Sequence, residues 1–174
     1  LPKAARHALM EVASQIEALK AQIEKLEKVI VATVKRNDDA RRLVTIPGVG
    51  AITAASVRAL VPDPGGFKSG RHFAAWLGLT PKPHSSGGKE RLGRISKMGN
   101  PALRSLLVVG ATAVLRHARG NPNASRWLTA LLARRPYRIV AVALANKTAR
   151  IIWALLVKGG TYQDNGASNQ RATA

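Results

Sequence analysis

The sequence predicts an all-α fold, a long coiled-coil helix followed by a compact helical domain, on three observations. Leu9, Val12, Ile16, Leu19, Ile23, Leu26 and Ile30 recur at alternating steps of three and four, the spacing of a heptad seam. Asn100 and Pro101 supply a cap and a first helical residue whose missing N–H costs nothing, ahead of an apolar interior from Leu103 to Leu115. Pro136 stops one later helical stretch, and Gly159 with Gly160 closes another.

The first element is the coiled coil, residues 1–38. Between the seam residues lie Glu17, Lys20, Glu24, Lys25, Glu27 and Lys28, with Lys20 to Glu24 and Glu24 to Lys28 at helical spacing for ion pairs. An amphipathic helix packed on its own domain would show a broader apolar face. The narrow seam, sustained over more than three heptads, favours a homo-oligomer, dimer or tetramer, joined through this helix.

Composition bounds the function. Lys and Arg number 28 against 9 acidic residues, a formal net charge of +19 and a sequence pI near 11.7, which calls for a polyanionic partner. Charge alone separates neither DNA from RNA nor either from an anionic membrane, and a ribosomal or nucleoid protein would show the same balance. The absence of cysteine excludes a disulfide framework and thiolate metal sites and fits a reducing cytoplasm. His7, His72, His84 and His117 lack the paired spacing of a zinc site, so no metal is expected on this chain. Charges interrupt the longest apolar runs, Lys147 and Arg150 splitting one of them, so no membrane span is expected. Leu1 as first residue, with no signal peptide following, points to a fragment or a processed product.

A domain over residues 39–162 follows the coiled coil. Its first motif, residues 43–60, centres on Ile46-Pro47-Gly48-Val49-Gly50 and resembles a helix-hairpin-helix DNA-binding motif. Gly48 and Gly50 permit backbone angles that side chains forbid, so a tight turn can expose amides at the start of the next helix, an end suited to a phosphate. Arg41, Arg42 and Arg58 would add charge nearby. Pro62, Pro64, Gly65 and Gly66 then form a loop, and Ser69 caps a short helix ending near Gly78, with Phe73 and Trp76 in the core.

Residues 81–100 read as a loop, because Pro81, Pro83, Gly87, Gly88 and Gly93 oppose a regular helix. It holds Ser85 and Ser86 among Lys89, Arg91, Arg94 and Lys97, with Arg104 just beyond. The glycine spacing is not that of a P-loop, so nucleotide binding is not expected. A serine hydroxyl can attack a phosphodiester if a base takes its proton and cations stabilise the developing charge. Neither His84 nor Glu90 has a visible orienting partner, and residue chemistry alone leaves a flexible phosphate-binding loop as the simpler reading. A helix begun at Asn100 and Pro101 with its apolar interior from Leu103 to Leu115, and helices over 125–135 and 138–158, complete the domain, and residues 163–174 read as a disordered tail.

The ordered series Ile46-Pro47-Gly48-Val49-Gly50, Leu77-Gly78-Leu79-Thr80-Pro81, Ser85-Ser86-Gly87-Gly88-Lys89, Arg91-Leu92-Gly93, Ile95-Ser96-Lys97 and Gly99-Asn100 resembles the carboxy-terminal transposase domain of the bridge-RNA-guided insertion-sequence family IS one-ten. The likeness continues into the following helices. It implies a transposase-recombinase in which Ser86, with Ser85 the alternative, attacks a DNA phosphate and forms a covalent phosphoserine link. It implies DNA contacts from Pro47, Gly48, Val49, Gly50, Lys89, Arg91, Arg94, Lys97 and Arg104, and a bridge RNA as partner. It also implies an amino-terminal RuvC-like domain whose acidic DEDD set binds magnesium and assists proton removal; these 174 residues do not contain it. The alternative from another class is a non-enzymatic helix-hairpin-helix module, dimerised by its coiled coil.

Overall fold

The computed structural model describes residues 2–84, 92–121 and 124–163. Seven α-helices and one two-stranded ribbon account for its regular elements, so the all-α expectation holds. Helix α1 spans Lys3–Arg36, about 50 Å of helix at 1.5 Å per residue. Only its last turns join the domain, where Val34 is buried and Ile30 packs against the core. The seam residues from Leu9 to Leu26 are exposed, between 53 % at Val12 and 63 % at Leu26.

Asn37 both ends α1 and starts α2, Asp38–Val44. Its backbone turns extended, its N–H donates to the Val34 carbonyl, and its side-chain oxygen accepts from Ala40 N at 2.9 Å. Asp38 and Asp39 in the first turn then favour the positive end of the new helix. A hairpin over residues 45–50 leads to α3, Ala51–Leu60, and a 3-10 turn at Pro64–Gly66 leads to α4, Gly70–Trp76. Ser69 accepts from His72 N at 3.2 Å, as expected of a cap. Gly78, at φ +71, ends α4: its N–H reaches the Ala75 carbonyl while Leu79 N–H reaches that of Ala74.

The stretch expected as a loop, residues 81–100, contains two short strands. Strand β1, Pro81–Pro83, pairs antiparallel with β2, Leu92–Ile95, with an irregularity between Pro81 and Pro83. A two-stranded ribbon is all edge, so proline's missing N–H is tolerated there and the proline content argues against helix without excluding strand. Helix α5, Pro101–Ala118, begins with Asn100 accepting from Leu103 N at 3.0 Å. Helix α6 covers Arg126–Arg134 and α7 covers Tyr137–Lys158, ended by Gly159 at φ +74. Of the expected tail, residues 164–174 lie outside the described residues.

Helix α7 organises the core, packing chiefly on α5 and α4. Ala141, Ala145 and Ala149, one turn apart, are buried with Thr148 and Ile152, so neighbouring backbones can approach closely. Phe73, Leu77, Leu79, Leu103 and Leu107 fill the space around them. Each such apolar side chain contributes about 1.5–3 kcal/mol on leaving water. By length and composition α7 could cross a membrane, but 33 % of its apolar window is buried within the fold and its exposed face carries Arg138, Lys147 and Arg150.

The hairpin is locked to α5 by two glycines. A Cβ on Gly48 (φ +83) would stand 2.7 Å from the Gly110 carbonyl oxygen and 2.9 Å from a Val114 methyl, and a Cβ on Gly110 would overlap the Gly48 carbonyl. Glycine inside a helix costs about 1 kcal/mol relative to alanine, which this contact must offset. Gly110→Ala should therefore destabilise by about 1–3 kcal/mol despite the better helix propensity, read as a lowered urea midpoint. A midpoint at or above that of the unaltered chain would contradict the contact.

Candidate nucleic-acid interface

The hairpin is built from both ends inward. Thr45 N–H and Ile46 N–H bond the last carbonyls of α2, Val49 N–H closes the turn on the Ile46 carbonyl at 3.0 Å, and Ile46 and Val49 enter the core. Val49 thus anchors the turn with its side chain, and its amide is already used. Pro47 and Gly50 are exposed, and Gly48 is partly so. Only Gly48 needs glycine for its backbone angle. Gly50 is extended, at φ −88 and ψ 178, and a Cβ there would meet nothing within 4 Å, so the sequence argument from forbidden angles does not apply to it.

Gly50 is the N-cap of α3, where its carbonyl accepts the first helical bond from Ala54 N at 2.9 Å. The amides of Ala51, Ile52 and Thr53 precede that bond, no side chain caps them, and no acidic residue lies in the first turn. The exposed end of α3 therefore offers N–H groups and the positive pole of the helix dipole beside a residue with no side chain.

The arginines expected to reinforce it are engaged elsewhere. Arg41 pairs with Asp38 at 2.6 Å, while Asp39 holds Arg42 at 3.4 Å and Arg58 at 3.2 Å. The Arg58 Nε is buried without a partner. Such partly exposed pairs contribute about 0–1 kcal/mol each, and their two carboxylates leave one net positive charge among the three arginines.

The ribbon carries the second group of cations. Lys82 on β1 and Arg94 on β2 are exposed. The His84 ring lies against Gly93, where a Cβ would come within 2.6 Å of Nε2. Ser85, Ser86, Lys89 and Arg91 lie outside the described residues. Lys97 is exposed at φ +55, an unusual angle for a residue with a side chain, and its N–H donates to the Gly78 carbonyl at 3.1 Å. Gly78 and Gly99 leave room for this crossing: a Cβ on Gly78 would overlap the Met98 carbonyl, and one on Gly99 that of Trp76.

Arg104 fastens the crossing. Its Nη1 donates to the carbonyls of Leu77 and Met98, each at 3.1 Å, so this guanidinium holds the base of the ribbon. Gly110 supports the hairpin six residues further along α5, about 9 Å along the axis. One helix thus carries both sequence-predicted segments, while Arg94 lies on the ribbon, Lys97 follows it, and Pro47 to Gly50 belong to the hairpin. Sequence reading missed Lys82 and the engagement of Arg104. It also passed over a signal in plain view: residues 101–163 hold ten Lys or Arg and no Asp or Glu.

Comparison with known proteins bears on this arrangement. Residues 40–127 match the model described as Transposase IS116/IS110/IS902 family. A probable family 20 transposase of Pseudomonas aeruginosa is 48 % identical over 164 residues, 94 % of this chain and 48 % of that protein. The transposase for insertion sequence element IS1111A of Coxiella burnetii is 49 % identical over 138 residues, 79 % of this chain and 38 % of that protein. A pilin gene-inverting protein of Moraxella lacunata is 34 % identical over 88 residues, 50 % of this chain and 27 % of that protein. The chain spans about half the length, or less, of these relatives. With its family match covering half of its residues, this chain belongs to the IS116/IS110/IS902 family of transposases.

Proposed function

We propose that this chain is the DNA-gripping and nucleophile-bearing part of a transposase that cleaves and rejoins DNA through a phosphoserine intermediate. The observation that carries the DNA contact is the uncapped, acid-free start of α3, presented by an exposed glycine hairpin anchored on α5. Backbone amides there take a phosphate without reading bases, which suits a grip on any sequence. The surplus of cations makes that grip salt-sensitive.

The nucleophile is Ser86. Its oxygen bonds to phosphorus as the bond from phosphorus to the leaving sugar oxygen breaks; the hydroxyl proton passes to a base and the leaving oxygen gains one. Lys89, Arg91 and Arg94 hold the phosphate, and Lys97 stands at the foot of the same ribbon. The phosphoserine ester retains the energy of the original bond, so rejoining to another strand needs no ATP. Among the described residues no group of three or more His, Asp or Glu could hold a metal ion, so magnesium does not fit here. Its expected place is the acidic set of the RuvC-like domain, and that domain and guidance by a bridge RNA belong to the same proposal on the family resemblance.

Self-association supplies the way to bring such parts together. Six apolar residues of α1, from Leu9 to Leu26, keep heptad spacing and stay exposed in one chain, a face that a second copy would cover. Sedimentation equilibrium should show a concentration-dependent dimer or tetramer, and Ile16→Asp combined with Ile23→Asp should sediment as monomer. A monomer at every loading of the unaltered chain would contradict this interface.

The serine is tested with the chain joined to the amino-terminal domain, in the presence of guide RNA, magnesium and labelled DNA. A protein–DNA adduct should appear on a denaturing gel, vanish with Ser86→Ala and persist with Ser85→Ala. Recombination that survives both substitutions would remove the serine from the chemistry and leave a DNA-binding module.

A further inference from the structure

A groove lies between the start of α4 and the exposed face of α7, and its Trp127 and Lys147 also line a neighbouring pocket that reaches Pro47 and Gly48 of the hairpin. Its volume is about 640 Å3. Arg71 of α4 and Lys147 and Arg150 of α7 line it, all exposed, with Trp127 of α6 and Trp153 as its aromatic walls. Gly70 sets its floor, lying so close to α7 that a Cβ would stand 3.1 Å from the Arg150 carbonyl oxygen. Trp153 is held by its Nε1, which donates to the Pro64 carbonyl at 3.0 Å. Trp127 remains 38 % exposed with the Lys147 ammonium 4.5 Å from its ring centre. Among the described residues no carboxylate lines this groove.

We propose that this groove binds an unpaired stretch of DNA, one base stacking on Trp127 while Arg71, Lys147 and Arg150 hold the flanking phosphates. The inference rests on the DNA-binding reading above and adds an adjoining site to it. Three exposed cations with no carboxylate among the described lining favour an anionic ligand, and an accessible indole beside them favours one with a free planar face. A duplex offers the phosphates but keeps its base faces covered. An unpaired strand offers both, and any exchange of strands between DNA molecules exposes such segments.

Fluorescence anisotropy with this chain tests the site, using an oligothymidylate of about twelve nucleotides, the matching oligouridylate and a duplex. The oligothymidylate should bind and quench tryptophan emission, and Trp127→Leu should weaken it by about tenfold, with less than about a twofold change for the duplex. Arg71→Ala with Arg150→Ala, both at exposed positions, should lower the single-strand salt slope by about 1.4. Equal losses for single strand and duplex would make the groove a general phosphate surface and overturn the proposal. So would single-strand binding that none of the substitutions weakens, or tenfold tighter binding of oligouridylate. Duplex binding without oligothymidylate binding overturns this site alone, whereas binding of neither also overturns the DNA-binding reading.

Discussion

The contact between Gly48 and Gly110 is the constraint on which the rest of the arrangement depends. The hairpin can present the start of α3 only if its own backbone turns at φ +83 and lies directly on a helix, and both conditions exclude a side chain at Gly48. The matching gap in α5 must then also be a glycine, at a position where helix propensity argues for almost any other residue. Because Ile46 and Val49 enter the core on either side, the turn is held in place before any ligand arrives, and binding need not supply the ordering. The same device recurs at the foot of the ribbon, where Gly78 and Gly99 admit crossing backbones and Arg104 ties them together.

Charge divides the chain by task. Residues 1–38 carry seven basic and five acidic residues, a mixed surface suited to a helix that meets another copy of itself. Residues 39–174 carry 21 basic and four acidic residues. Two of those acids, Asp39 and Asp63, have structural work: Asp39 holds Arg42 and Arg58, and Asp63 accepts from Gly65 N at 2.9 Å. The remaining described surface of the domain is therefore cationic almost without relief, and such a surface draws in nucleic acid from several sides. In the proposed reading, discrimination between strands comes from shape and aromatic contact, which is where the groove beside Trp127 differs from the hairpin.

Local chemistry was legible in the sequence and long-range chemistry was not. Ser69, Asn100, Pro101, Pro136 and Gly159 mark helix ends through bonds or angles set within four residues, and the observed helices start and stop beside them. Asn37 carried the same signal, an Asn followed by two acids, and reads in retrospect as the boundary between α1 and α2. The ribbon was missed because proline and glycine oppose helix and edge strand by different amounts, and composition alone does not separate loop from edge. The sequence places Arg104 among the phosphate contacts but gives no sign of its structural role, because its carbonyl partner Leu77 is 27 residues away and invisible to local pattern. Val49 likewise combines a hairpin position with a buried side chain, and Arg58 finds Asp39 across two helices. Ser85, Ser86, Lys89 and Arg91 fall outside the described residues, so their placement in a catalytic loop stands on the sequence and its family.

Hydrogen–deuterium exchange, with and without duplex DNA at low salt, tests the central claim that the hairpin is a phosphate grip formed by backbone amides. The amides of Gly50, Ala51, Ile52 and Thr53 should exchange rapidly in the free chain, because no helical bond or cap protects them, and slow markedly on binding. Unchanged exchange at these positions, with protection confined to other helices, would contradict the account and move the DNA-binding surface elsewhere on the domain.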